Sequence, residues 1–152
     1  MDQGDRVSGT KIEVVDDHFL FAQALAAVIR ESDLVDLVGI ATTGPQALAM
    51  ARDHQPDVVL LDHHLPGYPA DLLIPRLLSI APEARIIVLT DDTSDAALAS
   101  AVRAGAVGFL TKDRAIEDVV ASVTAATTSE ALLTAEEDRA QATALYELSR
   151  LI

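Results

Sequence analysis

Several charged or hydroxyl side chains in this sequence stand at or just after the ends of short apolar runs. They are Asp16 and Asp17, Asp62, Thr90, and Thr111 with Lys112. If these runs are neighbouring parallel strands, the polar groups meet at one edge of the sheet, where α/β proteins bind ligands. Two carboxylates about 4 Å apart repel by roughly 4 kcal/mol at an effective dielectric constant near 20. The spacing therefore predicts an acidic site that needs a cation, and Mg²⁺ prefers such carboxylates together with phosphate oxygens.

Asp62 is the central candidate for covalent chemistry. A carboxylate beside a metal ion and a lysine can attack a phosphorylated donor and form an acyl phosphate. Lys112 supplies a positive charge and Thr90 a hydroxyl donor for the phosphoryl oxygens. The chain turns after Asp62, through Leu65-Pro66-Gly67, so backbone groups stay near the site and the carbonyl of His64 is a candidate metal ligand.

Short Val- and Ile-rich runs alternate with longer Ala- and Leu-rich segments, which is typical of βαβ units that form a parallel sheet. The predicted strands are residues 11–15, 35–41, 57–61, 85–90 and 107–110, and the predicted helices are 18–31, 45–54, 70–80, 95–104 and 115–126. We therefore expect an α/β, flavodoxin-like, doubly wound five-stranded parallel sheet. The acidic groups meet if the strands lie in the order 2-1-3-4-5.

Composition limits the classes of function. The chain has 152 residues, 50% of them hydrophobic, which predicts one domain with a sizeable core. It has no cysteine, which excludes thiol chemistry and disulfides. Its 24 acidic and 11 basic residues give a net charge of −13, which predicts no direct DNA binding and no membrane binding. No apolar stretch reaches the about 18 to 20 residues of a membrane helix, and a cytoplasmic location is expected.

Both ends of the chain are predicted to lie outside the main domain, which we place at residues 11–126. Residues 1–10 are expected to be disordered, and residues 127–152 to form a linker and a C-terminal helix. Thr134 and Glu137 form a plausible capping box for that helix, and Leu145, Leu148 and Ile152 lie on one stripe. The tail is interpreted as a linker stub or as a packing or dimer helix.

Four motifs carry a resemblance to a known family. They are VVDDH at 14–18, LLDHHLPG at 60–67, VLT at 88–90 and GFLTKD at 108–113. Over residues 11–126 the sequence resembles the receiver domains of two-component response regulators, and in particular those of the NarL/LuxR-type branch.

The resemblance implies a signalling domain, not an enzyme, with at most slow self-phosphorylation from small donors and slow self-dephosphorylation. It implies that a sensor histidine kinase phosphorylates Asp62 and that the change alters partner binding or homodimer formation. Transcription control would then act through an output domain absent from this chain. The implied roles are Mg²⁺ (or Mn²⁺) binding by Asp16, Asp17, Asp62 and the His64 carbonyl, phosphoryl contacts by Thr90 and Lys112, and a switch formed by Thr90 and Phe109.

Two residues depart from the family pattern. Asp91 follows Thr90, where the family usually has a small residue, and an acid there either hinders phosphorylation or, with Asp92, strengthens cation binding. His63 follows Asp62, where family members usually have an apolar residue. His18 and His54 are interpreted as helix-surface residues.

Two alternatives remain open at this stage. An atypical receiver would bind partners constitutively without being phosphorylated, and Asp91 motivates that hypothesis. The second alternative is a phosphohydrolase or a nucleotide-binding protein. A haloacid-dehalogenase-type phosphatase would have a second aspartate where this chain has His64, and no glycine-rich phosphate loop is present.

Overall fold

A computed structural model of the chain describes residues 9–91 and 94–127. Over these residues, five strands alternate with five helices. The strands are β1 (Thr10–Val15), β2 (Val35–Ala41), β3 (Val58–Asp62), β4 (Arg85–Thr90) and β5 (Gly108–Thr111). The helices are α1 (Phe19–Glu31), α2 (Gly44–His54), α3 (Ala70–Ile80), α4 (Asp95–Ala104) and α5 (Lys112–Thr127).

The strands form one parallel sheet in the order β2-β1-β3-β4-β5, which confirms the predicted flavodoxin-like fold and strand order. The β3 and β4 strands are almost completely buried, as expected for central strands covered by helices on both faces. The order brings the carboxyl ends of β1 and β3 next to each other.

Two apolar clusters, one on each face of the sheet, hold the helices in place. Residues of α1 and α5 pack with Ile12 and Val14 of β1, whereas residues of α2, α3 and α4 pack with Val15. Alternating side chains of one strand thus enter opposite clusters, as the two-residue period of a strand requires. The sheet is a rigid central layer, and the polar groups lie at its edge.

Glu13 is the exception within this core. It lies in β1, is fully buried, and neither of its carboxyl oxygens has a hydrogen-bond partner among the described residues. Burial raises the pKa of Glu13 from 4.5 to about 8. The carboxyl is therefore largely protonated in the folded protein at neutral pH.

Local sequence accounts for several helix ends. The Thr43 side chain accepts a hydrogen bond from the backbone N–H of Gln46 at 3.2 Å, and Pro45 stands in the first turn of α2. Ser94 caps α4 in the same way. Gly105, at φ 123°, ends α4 in a conformation that favours glycine.

Four boundaries near the site differ from the prediction. Strand β3 includes Asp62, whose backbone pairs in register with Leu89 of β4. Strand β5 ends at Thr111, and α5 begins at Lys112, three residues earlier than predicted. Asp113 in the first turn of α5 complements the helix dipole, so the helix can start without a separate loop. His18 precedes α1 as its N-terminal cap residue, with an extended backbone.

At the N-terminus, β1 begins at Thr10, one residue earlier than predicted. Residues 1–8 of the predicted disordered segment lie outside the described residues, as does the predicted C-terminal helix with its capping box and apolar stripe. Within 9–91 and 94–127, none of the helices combines the length and hydropathy that a membrane crossing requires.

Candidate functional site

Four side chains meet at the carboxyl edge of the sheet. Asp16 and Asp17 directly follow β1, His18 precedes α1, and Asp62 ends β3. Each offers one ligand atom, and these atoms all lie within 4.8 Å of one another. The strand order is what brings Asp62 beside the acidic pair, although more than 40 residues separate them in sequence.

Lys112 reaches this acidic cluster from the start of α5. Its Nζ lies 2.9 Å from Asp16 Oδ2 and 3.2 Å from Asp62 Oδ1, and its side chain is only 11% exposed. The ammonium also lies 5.0 Å from the ring centroid of Phe21, which is within the range of a cation–π contact. One positive charge therefore offsets two almost completely buried carboxylates.

The charges at the site shift the pKa values of Asp62 and Lys112. Burial raises the pKa of Asp62, the nearby charge of Asp16 raises it further, and the backbone N–H of His64 and the charge of Lys112 only partly oppose this. Burial alone would lower the pKa of Lys112, but its contacts with Asp16 and Asp62 outweigh burial and raise it. Lys112 therefore stays protonated, whereas ionising Asp62 in the folded protein costs free energy.

One buried carboxylate oxygen of the site has no hydrogen-bond partner among the described residues. Asp62 Oδ2 is buried and has no hydrogen-bond partner, although the Asp62 side chain is only 3% exposed. Asp62 Oδ1, by contrast, accepts a hydrogen bond from the backbone N–H of His64 at 3.1 Å. A buried, unpaired carboxylate oxygen beside two further acids fits a hard divalent cation.

His18 is exposed, as the sequence interpretation expected, but it also takes part in this acidic cluster, which was not predicted. Its backbone N–H donates to Asp16 Oδ1 at 2.8 Å, and its ring Nδ1 lies 3.0 Å from the same oxygen. Nδ1 is also 3.7 Å from one oxygen each of Asp17 and Asp62. The interpretation as a helix-surface residue was therefore incomplete. Its position directly after the aspartate pair was the available signal.

Thr90 lies at the end of β4 and is buried, and its hydroxyl is 3.4 Å from Nδ1 of His63. The backbone N–H of His63 donates to the carbonyl of Leu89 at 2.9 Å, which fixes the chain beside β4. The rings of His63 and His64 are 4.4 Å apart. Among the described residues, neither ring belongs to the group of possible metal ligands at this edge.

Two further predicted residues lie away from the acidic cluster. Phe109 in β5 is partly buried and packs against the apolar cluster beneath α2, α3 and α4. Asp91 is exposed and, within the described part of the chain, does not belong to the group of possible metal ligands. Asp92 lies outside the described residues, so the predicted effect of these two acids together stays a prediction.

A Lys112→Met variant is expected to lose about 3 kcal/mol of its free energy of unfolding at pH 7 in chelator, because Asp16 and Asp62 are left buried without their positive partner. Magnesium should recover part of the loss. Urea unfolding with and without Mg²⁺ measures both effects. Lys11→Met is the matched control, since Lys11 is the only other lysine of the chain and its Nζ contacts the carbonyl of His54 instead. Equal stability of the two variants would contradict the proposed charge balance.

Comparisons with known proteins agree with this geometry. Response regulator GacA of Pseudomonas aeruginosa is 32% identical over 113 residues, which are 74% of this chain and 53% of GacA. The DNA-binding transcriptional activator DevR/DosR of Mycobacterium tuberculosis is 36% identical over 116 residues, 72% of this chain and 54% of that protein. The chain thus spans about half the length of the curated relatives it matches.

Solved structures give the same result. The signal receiver domain of NarL from Mycobacterium tuberculosis superimposes with a TM-score of 0.75 at 30% identity, covering 82% of this chain and all of that one. A LuxR-family response regulator from Aurantimonas gives a TM-score of 0.74 at 26% identity, with 93% and 99% covered. Residues 12–124 match the family described as the response regulator receiver domain. With its sheet order and these matches, the chain belongs to the response regulator receiver domain family.

Proposed function

We propose that this chain is a phosphorylation-controlled switch in which Asp62 accepts a phosphoryl group from a sensor histidine kinase. The observation that carries the proposal is the buried Asp62 carboxylate, which has one oxygen unpaired, Asp16 beside it and the Lys112 ammonium 3.2 Å from its other oxygen. Receiver domains as a class are signalling domains that bind Mg²⁺ at an acidic pocket. The acids here have the composition and closeness that such a pocket needs.

In the proposed reaction, a carboxylate oxygen of Asp62 attacks the phosphorus of a phosphohistidine. The P–N bond breaks, its electron pair leaves with the imidazole, which takes up a proton, and a mixed anhydride forms on Asp62. Asp16, Asp17, Asp62 and the carbonyl of His64 would hold Mg²⁺ (or Mn²⁺), which neutralises charge on the phosphoryl oxygens when bound. Lys112 donates to one of these oxygens and Thr90 to another, which stabilises the spread negative charge.

The switch would act through Thr90 and Phe109. A hydrogen bond between the Thr90 hydroxyl and the phosphoryl group draws the end of β4 towards Asp62, and Phe109 on the neighbouring strand changes its packing in response. A tenfold shift in population requires only about 1.4 kcal/mol, which one charge-assisted hydrogen bond can supply. The output is a change in partner binding or homodimer formation by a cytoplasmic protein.

Transcription control is the process that we propose for the whole regulator. The relative DevR/DosR is named as a DNA-binding transcriptional activator, and this chain matches only about half of it. The acidic charge of −13 does not favour direct DNA contact by this chain. DNA binding would therefore belong to the half of such a regulator that lies outside the matched region.

Intact-mass spectrometry tests the proposal. Incubation with acetyl phosphate and Mg²⁺ is expected to add the mass of one phosphoryl group, hydroxylamine should remove it, and reduction with borohydride followed by peptide mapping should locate it at Asp62. Chelating the Mg²⁺ before adding the donor should prevent the modification. An unmodified chain under saturating donor would contradict phosphorylation and favour the constitutive interaction module instead. In that case Asp91 is the first residue to replace.

A further inference from the structure

The Lys112 ammonium shows where a positive charge is already held at this edge. Its Nζ lies 2.9 Å from Asp16 Oδ2, 3.2 Å from Asp62 Oδ1 and 3.0 Å from Nδ1 of His18. Two carboxylates and one imidazole nitrogen therefore converge on a single cationic centre. His18 belongs to this arrangement as closely as the two acids do.

The contact with Lys112 favours one tautomer of the His18 ring. An ammonium has only donors, so a ring nitrogen 3.0 Å from it can bond to it only as an acceptor, with its lone pair pointing into the acidic cluster. The Nε2 atom carries the proton in that form. Asp16 Oδ1 does not depend on a ring donor, because the backbone N–H of His18 already donates to it at 2.8 Å.

The spacing of the potential ligands fits one metal ion. Atoms of Asp16, Asp17, His18 and Asp62 lie within 4.8 Å of one another, and ligands about 2.1 Å from one ion are at most about 4.2 Å apart, so small side-chain movements suffice. Asp62 Oδ2 is a second, independent indication, because it is buried without a hydrogen-bond partner and lies 3.7 Å from Nδ1 of His18. His18 itself is 61% exposed, so its ring can adjust.

We propose that Nδ1 of His18 is a nitrogen ligand of the metal site and that it makes the site prefer Zn²⁺ and Co²⁺ to Mg²⁺. Imidazole suits late first-row ions, whereas an all-oxygen set of carboxylates and carbonyls suits Mg²⁺. The inference deepens the proposed function, since it concerns the same acidic site. It gives His18 the role of a ligand that determines metal specificity.

The test compares metal affinities of the full chain and two variants by isothermal titration calorimetry. His18→Ala is expected to weaken Zn²⁺ and Co²⁺ binding about tenfold or more and to leave Mg²⁺ affinity within about twofold. His54→Ala is the control, because His54 ends α2 at the opposite edge of the sheet, near the start of β1. In chains with ¹⁵N-labelled histidine, Zn²⁺ should shift the Nδ1 resonance of His18.

Other outcomes would contradict either the ligand role of His18 or the proposed function as a whole. Equal metal preference in the unmodified chain and in His18→Ala contradicts the ligand role and leaves phosphorylation of Asp62 untouched. A Zn²⁺ shift confined to His63 and His64 also contradicts it, because these rings form their own adjacent pair. No binding of any divalent ion, Mg²⁺ included, contradicts the proposed function as well.

Discussion

An Asp62→Asn variant is expected to form no acyl phosphate at any donor concentration and to be more stable than the unmodified protein in the absence of Mg²⁺. The amide has no anionic oxygen to attack phosphorus, so the reaction is lost completely. The gain in stability follows from the raised pKa of Asp62, since burial and the charge of Asp16 make its ionised form unfavourable in the folded state. A neutral group of equal shape removes that cost, so the variant should have the higher free energy of unfolding at pH 7.

The sign of this stability effect depends on pH. Because the folded-state pKa of Asp62 is raised, its cost is absent below the ordinary carboxyl pKa and appears as pH rises through and above it. The stability difference between the variant and the unmodified protein should therefore shrink on acidification. Asp53→Asn is the control, since Asp53 is exposed in the last turn of α2. Phosphorylation of Asp62→Asn would show that another carboxylate is the acceptor.

Glu13 gives the largest expected effect on stability. Its pKa is about 8 in the folded protein and 4.5 ordinarily, so folding must keep it protonated or bury its charge. The free energy of unfolding should fall as pH rises from about 4.5 to about 8 and then level off. The total loss from this one residue is about 5 kcal/mol, at about 1.4 kcal/mol per pKa unit.

A Glu13→Gln variant removes this dependence and nearly keeps the shape of the side chain. We expect it to match the unmodified protein at pH 4 and to exceed its free energy of unfolding by several kcal/mol at pH 9, measured by urea unfolding across pH. Because both proteins contain the other titrating groups, Asp62 included, subtracting one curve from the other removes the contribution of these groups. Glu31→Gln, at the exposed end of α1, should leave the curve unchanged. Parallel curves for Glu13→Gln and the unmodified protein would show that Glu13 is solvated or paired.

The sheet was predictable because its strands are distinct in the sequence. The runs of β3 and β4 are almost entirely apolar, and the segments between them have the length and punctuation of helices, so the order of elements along the chain followed. The strand order 2-1-3-4-5 was the condition for the polar groups to meet, and the sheet has that order. The closeness of Asp16, Asp62 and Lys112 followed in turn, since it depends on strand order alone. Their functional roles rest on the resemblance and on the proposals above.

The directions of two side chains could not be predicted from the sequence. His18 was interpreted as a surface residue and is 61% exposed, but that interpretation did not predict the contact of its ring Nδ1 with Asp16. Glu13 passed unnoticed within KIEVV, since an acid in a strand normally faces water, whereas the helices cover both faces of this sheet. The early start of α5 was missed because no turn residue marks it.

The placement of Asp62 within β3 limits how a signal can leave the site. Its backbone is held in register with Leu89, and the next amide, that of His63, is bonded to the Leu89 carbonyl at 2.9 Å. Moving the backbone of the acceptor would break its pairing with β4, whereas the side chains of Lys112 and Thr90 can move without breaking a backbone hydrogen bond of the sheet. A charge added at Asp62 must therefore be accommodated by movements of neighbouring side chains. The structural change would then spread from a fixed backbone position to the surface of the domain.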